Sequence, residues 1–407
     1  MNTAEYLRLQ ENAKKEVPLE LWGPYLSERQ WGTVREDYSE NGDAWNYFPH
    51  DHARSRAYIW GEDGLGGISD IFQNLCFAIA LWNGEDPILK ERLFGLSNSR
   101  GNHGEDVKEL YYYLDNIPTH YYMKYLYKYP QQAYPYIDLV EKNESKGKLD
   151  PEYELLDTGI FNDNKYFDVL IEYAKENSED ILIKIEVINH GDQKAPITVL
   201  PTLWFYNKWQ YREVEERPSI DLLNDFSVEA VFESPGNYYL HFPKADFTVF
   251  TENETNFQKL FNRENKTEFV KDAFNDAIID GKDIDRLKEK KQGTKFSPVY
   301  KFDIEPKQSK IIYLRLNKEK DTDAFPKGFE NIFKKREKEA DEFYEALHPG
   351  LCSQDQKNIQ RQAFAGLLWN KQYYHYDIER WLNKGDGISP LYEARKYGRN
   401  HQWKYLK

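Results

Sequence analysis

From residue 58 to about residue 316 the apolar side chains fall mostly on alternate positions, and beyond that point they recur three and four positions apart. A period of two puts successive side chains on opposite faces of a strand, whereas a period near 3.6 draws one stripe along a helix. The chain must therefore hold a β region followed by an α region. Ile181, Ile183, Ile185 and Val187 alternate with Leu182, Lys184, Glu186 and Ile188, which predicts a strand with one well-buried face. Residues 197–205, 238–242, 247–251 and 310–316 read the same way, and residues 73–82 fit helix or strand by pattern. Many strands separated by turn clusters predict a β-sandwich, so the fold class is mainly β with α.

Two charged stretches interrupt the strands. Residues 141–151 read as a Lys/Glu/Gly loop, and residues 262–291 as an insertion with helical character over 269–279. Neither carries a chemical signature, so both are expected to be solvated surface, the second placed to cover one edge of the sandwich. Past residue 316, Phe329, Ile332, Phe333, Ala340, Phe343, Tyr344 and Leu347 fit one face of a long helix bracketed by Pro326 and Pro349. A second helix is expected from Ser353, with Gln356 completing a capping box, and with Ile359, Ala363, Gly366, Leu367 and Asn370 on one face.

With 407 residues the chain has room for two domains, and its 16% aromatic content supplies a large core. A net charge of −14 argues against nucleic acid or an anionic membrane as the main partner. Cys76 and Cys352 stand far apart without metal-ligand spacing, and no disulfide framework is implied. Residues 1–5 show no apolar leader and no run approaches the ~18 apolar residues of a membrane span, which places the expected compartment in the cytoplasm.

The chemistry concentrates in residues 93–115. Gly95, Gly101 and Gly104 let backbone turn or approach a ligand, while Asn98, Arg100, Asn102, His103, Glu105 and Asp106 offer donors and acceptors. Tyr111, Tyr112 and Tyr113 begin an aromatic run continued by Tyr121, Tyr122, Tyr125, Tyr127 and Tyr129. Aromatic faces cover the C–H face of a pyranose and a polar loop can read its hydroxyls, which points to a carbohydrate ligand; a long turn between strands is the alternative. The acidic pairs Glu62–Asp63 and Glu105–Asp106 are expected to point to opposite sides of an extended backbone and so not to grip one bond from two sides. His50 and His52 lack a third ligand at a predictable spacing, so no metal is assigned. Gly61, Gly64, Gly66 and Gly67 lack the Lys-Ser/Thr ending of a phosphate loop, and no cofactor is assigned. Trp22, Trp31 and Trp45 either stack on sugar or pin the irregular N-terminal stretch.

Several strings in one order carry a resemblance. They are WGEDGL at 60–65, GISD at 67–70, ALWNG at 80–84, DPILKERLFGL at 86–96, GNHGEDVKE at 101–109, PTH at 118–120, YLYKYP at 125–130, ELLDTG at 154–159, LPTLWF at 200–205 and the tract 369–381. With these the chain resembles bacterial and fungal members of glycoside hydrolase family 63, which includes the mannosyl-oligosaccharide glucosidases; the likeness is weaker over about 213–295. The resemblance implies a lead-in over residues 1–57, a β-sandwich over 58–320, and over 321–407 a linker helix and the incomplete start of an (α/α)6 toroid. It favours a buried strand over 73–82. It also implies inverting hydrolysis of α-glucosidic linkages by an Asp general acid and a Glu general base about 6.5–9.5 Å apart. In the family both stand on the toroid, beyond the matching positions, so no catalytic residue is assigned in this chain.

By the same resemblance Asn102, His103, Glu105 and Asp106 reach over the toroid mouth to substrate, and Trp369 and Tyr373 line its sugar pocket. The expectation is a chain inactive by itself, either a fragment or one part of a split enzyme whose partner is a second chain carrying the rest of the toroid. The alternatives are a non-catalytic carbohydrate-binding or scaffolding module and a structural interaction protein.

Overall fold

A computed structural model describes residues 2–15, 17–26, 28, 49–102, 106–210, 216–233, 236–320, 323–348, 350, 352–371, 376–383, 393–398 and 401–405. Two antiparallel sheets face one another. One has six strands in the order β1 (Trp22–Gly23), β2 (Leu65–Asp70), β3 (Leu75–Trp82), β10 (Ala195–Phe205), β16 (Lys295–Ile304) and β14 (Phe247–Thr251). The other has nine, in the order β15 (Gln292–Gly293), β11 (Ser219–Asn224), β12 (Ser227–Val231), β13 (Tyr238–His241), β17 (Ser309–Asn317), β9 (Asp180–Asn189), β8 (Tyr166–Asn177), β7 (Tyr122–Pro130) and β6 (Tyr111–Asn116). A small pair, β4 (Gly95–Leu96) with β5 (Asp106–Val107), stands apart.

The core fills the space between the sheets, as the alternation predicts. Phe77, Ile79 and Leu81 of β3 and Val199 and Leu203 of β10 meet Ile181, Ile183, Ile185 and Val187 of β9 and Ile312, Leu314 and Leu316 of β17. Three tyrosines of the run belong to this core, while Tyr121 and Tyr122 are buried in a separate cluster with Phe343 and Tyr344, and Tyr112 is 39% exposed. Tyr125, Tyr127 and Tyr129 project inward from β7, which is flanked by strands on both sides, and each is fully buried. A buried phenol needs a partner, and the Tyr127 hydroxyl donates to Glu109 Oε2 at 2.7 Å and that of Tyr129 to Asp86 Oδ2 at 2.9 Å. These rings are therefore unavailable to a sugar.

Helices cover the outer faces. The charged stretch 262–291 is not solvated throughout, contrary to the expectation from its charge. It contains α5 (Ala273–Ile279) and α6 (Ile284–Glu289), preceded by α4 (Phe257–Phe261). Phe269, Phe274, Ala277, Ile278 and Leu287 are buried there against Ala80, Leu200, Val249 and Val299 of the six-stranded sheet. Five apolar side chains spaced along the insertion outweigh its charges, most of which face water, while Lys271 and Asp272 are buried. Residues 141–151 are mostly exposed, as expected, although the stretch opens within the last turn of α3 (Tyr136–Glu144) and Asn143 is buried there.

On the nine-stranded sheet lies α7 (Phe329–Leu347), with Phe329, Phe333, Ala340, Phe343 and Tyr344 buried as its periodicity predicts. The helix α8 (Gln354–Trp369) begins at Ser353, whose side chain and that of Gln356 form the expected capping box. Its buried face differs from the predicted one. Ala365 and Trp369 pack inward while Ile359 and Leu367 are 62% and 74% exposed, because α8 lies on β6 through its small residues and one indole. Three shorter helices complete the described set: α1 (Ala4–Ala13), α2 (His50–Ser55) and α9 (Ile378–Asn383). No helix among the described residues is long and apolar enough to cross a membrane.

Candidate functional site

On the outer face of the six-stranded sheet, Ala78 and Ala80 of β3 and Thr202 and Trp204 of β10 form the floor of a small cavity. The two alanines leave the space that larger outward residues would fill. Residues 61–64 roof part of it, and they lie flat on the sheet because a Cβ on Gly64 would stand only 2.5 Å from the Cβ of Ala78. The rest of the wall comes from Glu91 and Arg92, from Asn253, from Lys271 of the insertion, and from Lys295 at the start of β16.

Glu62 and Asp63 both reach this cavity. The alternation argument expected them to diverge, but residues 61–64 are not in a strand, so the rule of opposite faces does not govern them. Three acids and three bases thus share one buried space, and pairing holds them there. Arg92 Nε stands 3.2 Å from Asp63 Oδ2 and its Nη2 2.9 Å from Glu91 Oε1. Lys295 Nζ approaches Glu91 Oε2 at 3.1 Å. The Lys271 ammonium donates to the Arg56 carbonyl at 2.8 Å and sits 3.9 Å over the Tyr58 ring. Asn253 Nδ2 donates to Glu62 Oε1 at 3.2 Å and to the Phe205 carbonyl at 2.9 Å.

Burial moves the two least well paired groups toward neutrality. Desolvation pushes the Glu62 carboxyl up to about 7 against the pull of Lys271, and desolvation brings the Lys271 ammonium down to about 8 against Glu62. Glu91 goes the other way. Burial opposes its ionisation, but Lys295, Arg92 and Lys271 together outweigh that and hold it at about 2.

The cavity measures about 30 Å³, room for about two waters and far too little for a pyranose. Arg92 Nη1 and Asn253 Oδ1 are buried without a hydrogen-bond partner among the described residues, a donor and an acceptor that such water would satisfy. Chemically the site can hold water among its charged groups, and its free space is too small to enclose a sugar. Sequence reading singled out Glu62 and Asp63 but not their partners. Those stand far apart along the chain, and the only signals were the charged pair inside the 86–96 string and a lysine following Phe269 and Val270 in the insertion.

The residues expected to touch substrate are distributed differently. Asn102 is buried, and its Nδ2 donates to the carbonyls of Gly147 at 3.1 Å and Asp150 at 2.9 Å, tying its loop to the turn after α3. Asp106 pairs with Lys108, whose ammonium also reaches Glu152 and Glu154 at 3.1 Å each. These three carboxylates are close enough to one another to hold a metal ion, yet the lysine already supplies their positive charge. Trp369 is 1% exposed and packs among Tyr113, Tyr125 and Tyr173, with its indole N–H donating to the Asp115 carbonyl at 3.0 Å. Asn102 and Asp106 therefore meet near residues 147–154, and Trp369 belongs to the sandwich core. His103, Glu105 and Tyr373 lie outside the described residues. Of the two histidines weighed as ligands, His50 is buried on α2 with its ring 5.6 Å from that of Phe94, and burial holds it well below the usual histidine range.

The fold is an antiparallel β-sandwich with helices laid on both outer faces. No family model matches the chain. An uncharacterized Saccharomyces cerevisiae protein, YMR196W, is 41% identical over 452 residues, a match that takes in 100% of this chain and 42% of the relative. The chain therefore spans less than half the length of the curated relative it matches. Among solved structures, a polysaccharide lyase is 9% identical with a TM-score of 0.25, covering 64% of this chain and 28% of its own. A family GH92 α-mannosidase from Bacteroides thetaiotaomicron is 13% identical with a TM-score of 0.19, covering 51% of this chain and 23% of its own. Scores this low carry no argument about fold or activity.

Proposed function

We propose that this chain is the sandwich-bearing part of an α-glucosidase resembling glycoside hydrolase family 63, one that hydrolyses α-glucosidic linkages of oligosaccharides or small glycosides with inversion and without an organic cofactor. One observation carries the reading: separate strings typical of that family occur in the family's order from residue 60 to residue 381. The 41% identical yeast relative extends well past the matched region, so the reading extends to that longer protein as well.

The acid and the base are assigned outside the buried carboxyls of this chain. Inversion needs two carboxyl groups about 6.5–9.5 Å apart with substrate and a water between them. Glu62, Asp63 and Glu91 instead share a cavity of about 30 Å³ with three cations, which leaves no place for a glucosyl unit.

Proton NMR of the full-length yeast relative with maltose-type and glucosylated oligosaccharides tests this. The expected result is glucose released first as the β anomer by the relative, and no glucose released by the homogeneous 407-residue chain. Release by the chain itself would overturn the placement of the acid and base. A full-length relative inert toward every α-glucoside offered would overturn the glucosidase reading.

A further inference from the structure

A groove of about 470 Å³ opens on the outer face of the nine-stranded sheet, between β17 and the start of α7. It has the size of a small-ligand site, whereas the charged cavity does not. Ile311 and Tyr313 take the outward positions of β17, since Ile312 and Leu314 face the core. Phe325 lies in the segment entering α7, and Phe329, Glu330 and Asn331 make its first turn. Phe325 and Tyr313 each meet Phe329 edge to face, at 5.3 and 5.5 Å between ring centres, which builds an aromatic wall with Phe325 37% and Ile311 44% exposed.

Polar groups stand beside this wall. The Tyr313 hydroxyl donates to Glu330 Oε1 at 2.6 Å, which spends the tyrosine's donor and leaves Oε2 with no hydrogen-bond donor among the described residues. Asn331 is exposed, and its carboxamide makes no side-chain hydrogen bond there. The groove thus offers a carboxylate acceptor and a carboxamide with both donors and an acceptor, next to an apolar surface, and that discriminates between occupants. A proline-rich peptide also seeks aromatic grooves, but its prolines have no backbone N–H to offer the Glu330 carboxylate. An anionic ligand would face the Glu330 carboxylate. A neutral sugar brings hydroxyl donors together with a C–H face to lay on a ring.

We propose that this groove binds a short neutral gluco-oligosaccharide, with a sugar ring against Phe325 and Ile311 and its hydroxyls on Glu330 Oε2 and the Asn331 carboxamide. The inference rests on the carbohydrate reading above and adds a binding surface apart from the hydrolytic site. Calorimetry of the intact chain with maltotriose, and separately with a proline-rich peptide, tests it. Saturable maltotriose binding is expected, weakened about tenfold or more by Phe325→Ala and by Glu330→Gln. Both positions are exposed, so an unchanged melting temperature certifies the fold of each variant.

Undetectable maltotriose binding overturns the proposal, as does wild-type affinity in both variants or binding of the peptide alone. None of these outcomes touches the glucosidase reading, which stands or falls on glucose release by the full-length relative.

Discussion

The two outer faces of the sandwich begin from the same strand alternation and end as opposites. On the six-stranded sheet the outward residues Ala78 and Ala80 of β3 are small, and a glycine loop and a charged insertion lie close over them, so six ionisable groups line a cavity with only about 30 Å³ of free space. On the nine-stranded sheet the outward residues Ile311 and Tyr313 stand under the tip of α7, which leaves a groove of about 470 Å³ open. What covers a sheet, and how closely its backbone can approach, decides whether a face becomes sealed or accessible. Small floor residues admitted a tight lid on one side. A helix laid on aromatic rings kept the other apart.

That contrast can be broken by substitution. Arg92→Ala is expected to have the largest effect, destabilising by about 3–5 kcal/mol, because Asp63 and Glu91 lose their shared cation inside a buried space. Urea denaturation measures it, and a loss well under 1 kcal/mol would mean that water reaches those carboxylates freely. Gly64→Ala follows at about 1–3 kcal/mol, since the new Cβ meets Ala78 Cβ at 2.5 Å. Pairing it with Ala78→Gly should restore much of that loss if close approach of the loop is the cause.

The pH dependence sharpens the same comparison. In the native chain Glu62 keeps its proton up to about 7, while its ordinary value is 4.5. The folded form therefore binds more protons across that interval, and this group's contribution makes stability fall as pH rises from about 4.5 to about 7. Glu62→Gln should gain on the wild type through that window. A stability difference with no slope between those values would show that Glu62 is ionised throughout. The smallest effect belongs to the open face. Phe325→Ala should change stability by about 1 kcal/mol or less, because its ring is already partly in water.

Much of this architecture could be read from residue order. Alternation located β9, β10 and β17, and the Ser353–Gln356 pair marked the start of α8 to the residue. Periodicity also identified the buried face of α7. The face of α8 was misjudged because Ile359 and Leu367 form the more obvious apolar stripe, yet contact with β6 selects Ala365 and Trp369. The site was less legible. Glu62 and Asp63 drew notice as a pair, but Asn253, Lys271 and Lys295 come from positions about 190 to 230 residues away, inside or just beyond a stretch whose charge suggested solvent. The tyrosine run misled for a related reason, since an aromatic suits a sugar platform and a sandwich core equally until its neighbours are known.

By itself the sequence determined the two periods, and with them a β region followed by helices, because periodicity is a property of each segment alone. Only the tertiary structure decided which charges are buried together and which aromatic rings are open. Those outcomes depend on which distant segments share a space, and burial, desolvation and access to a ligand all follow from that sharing.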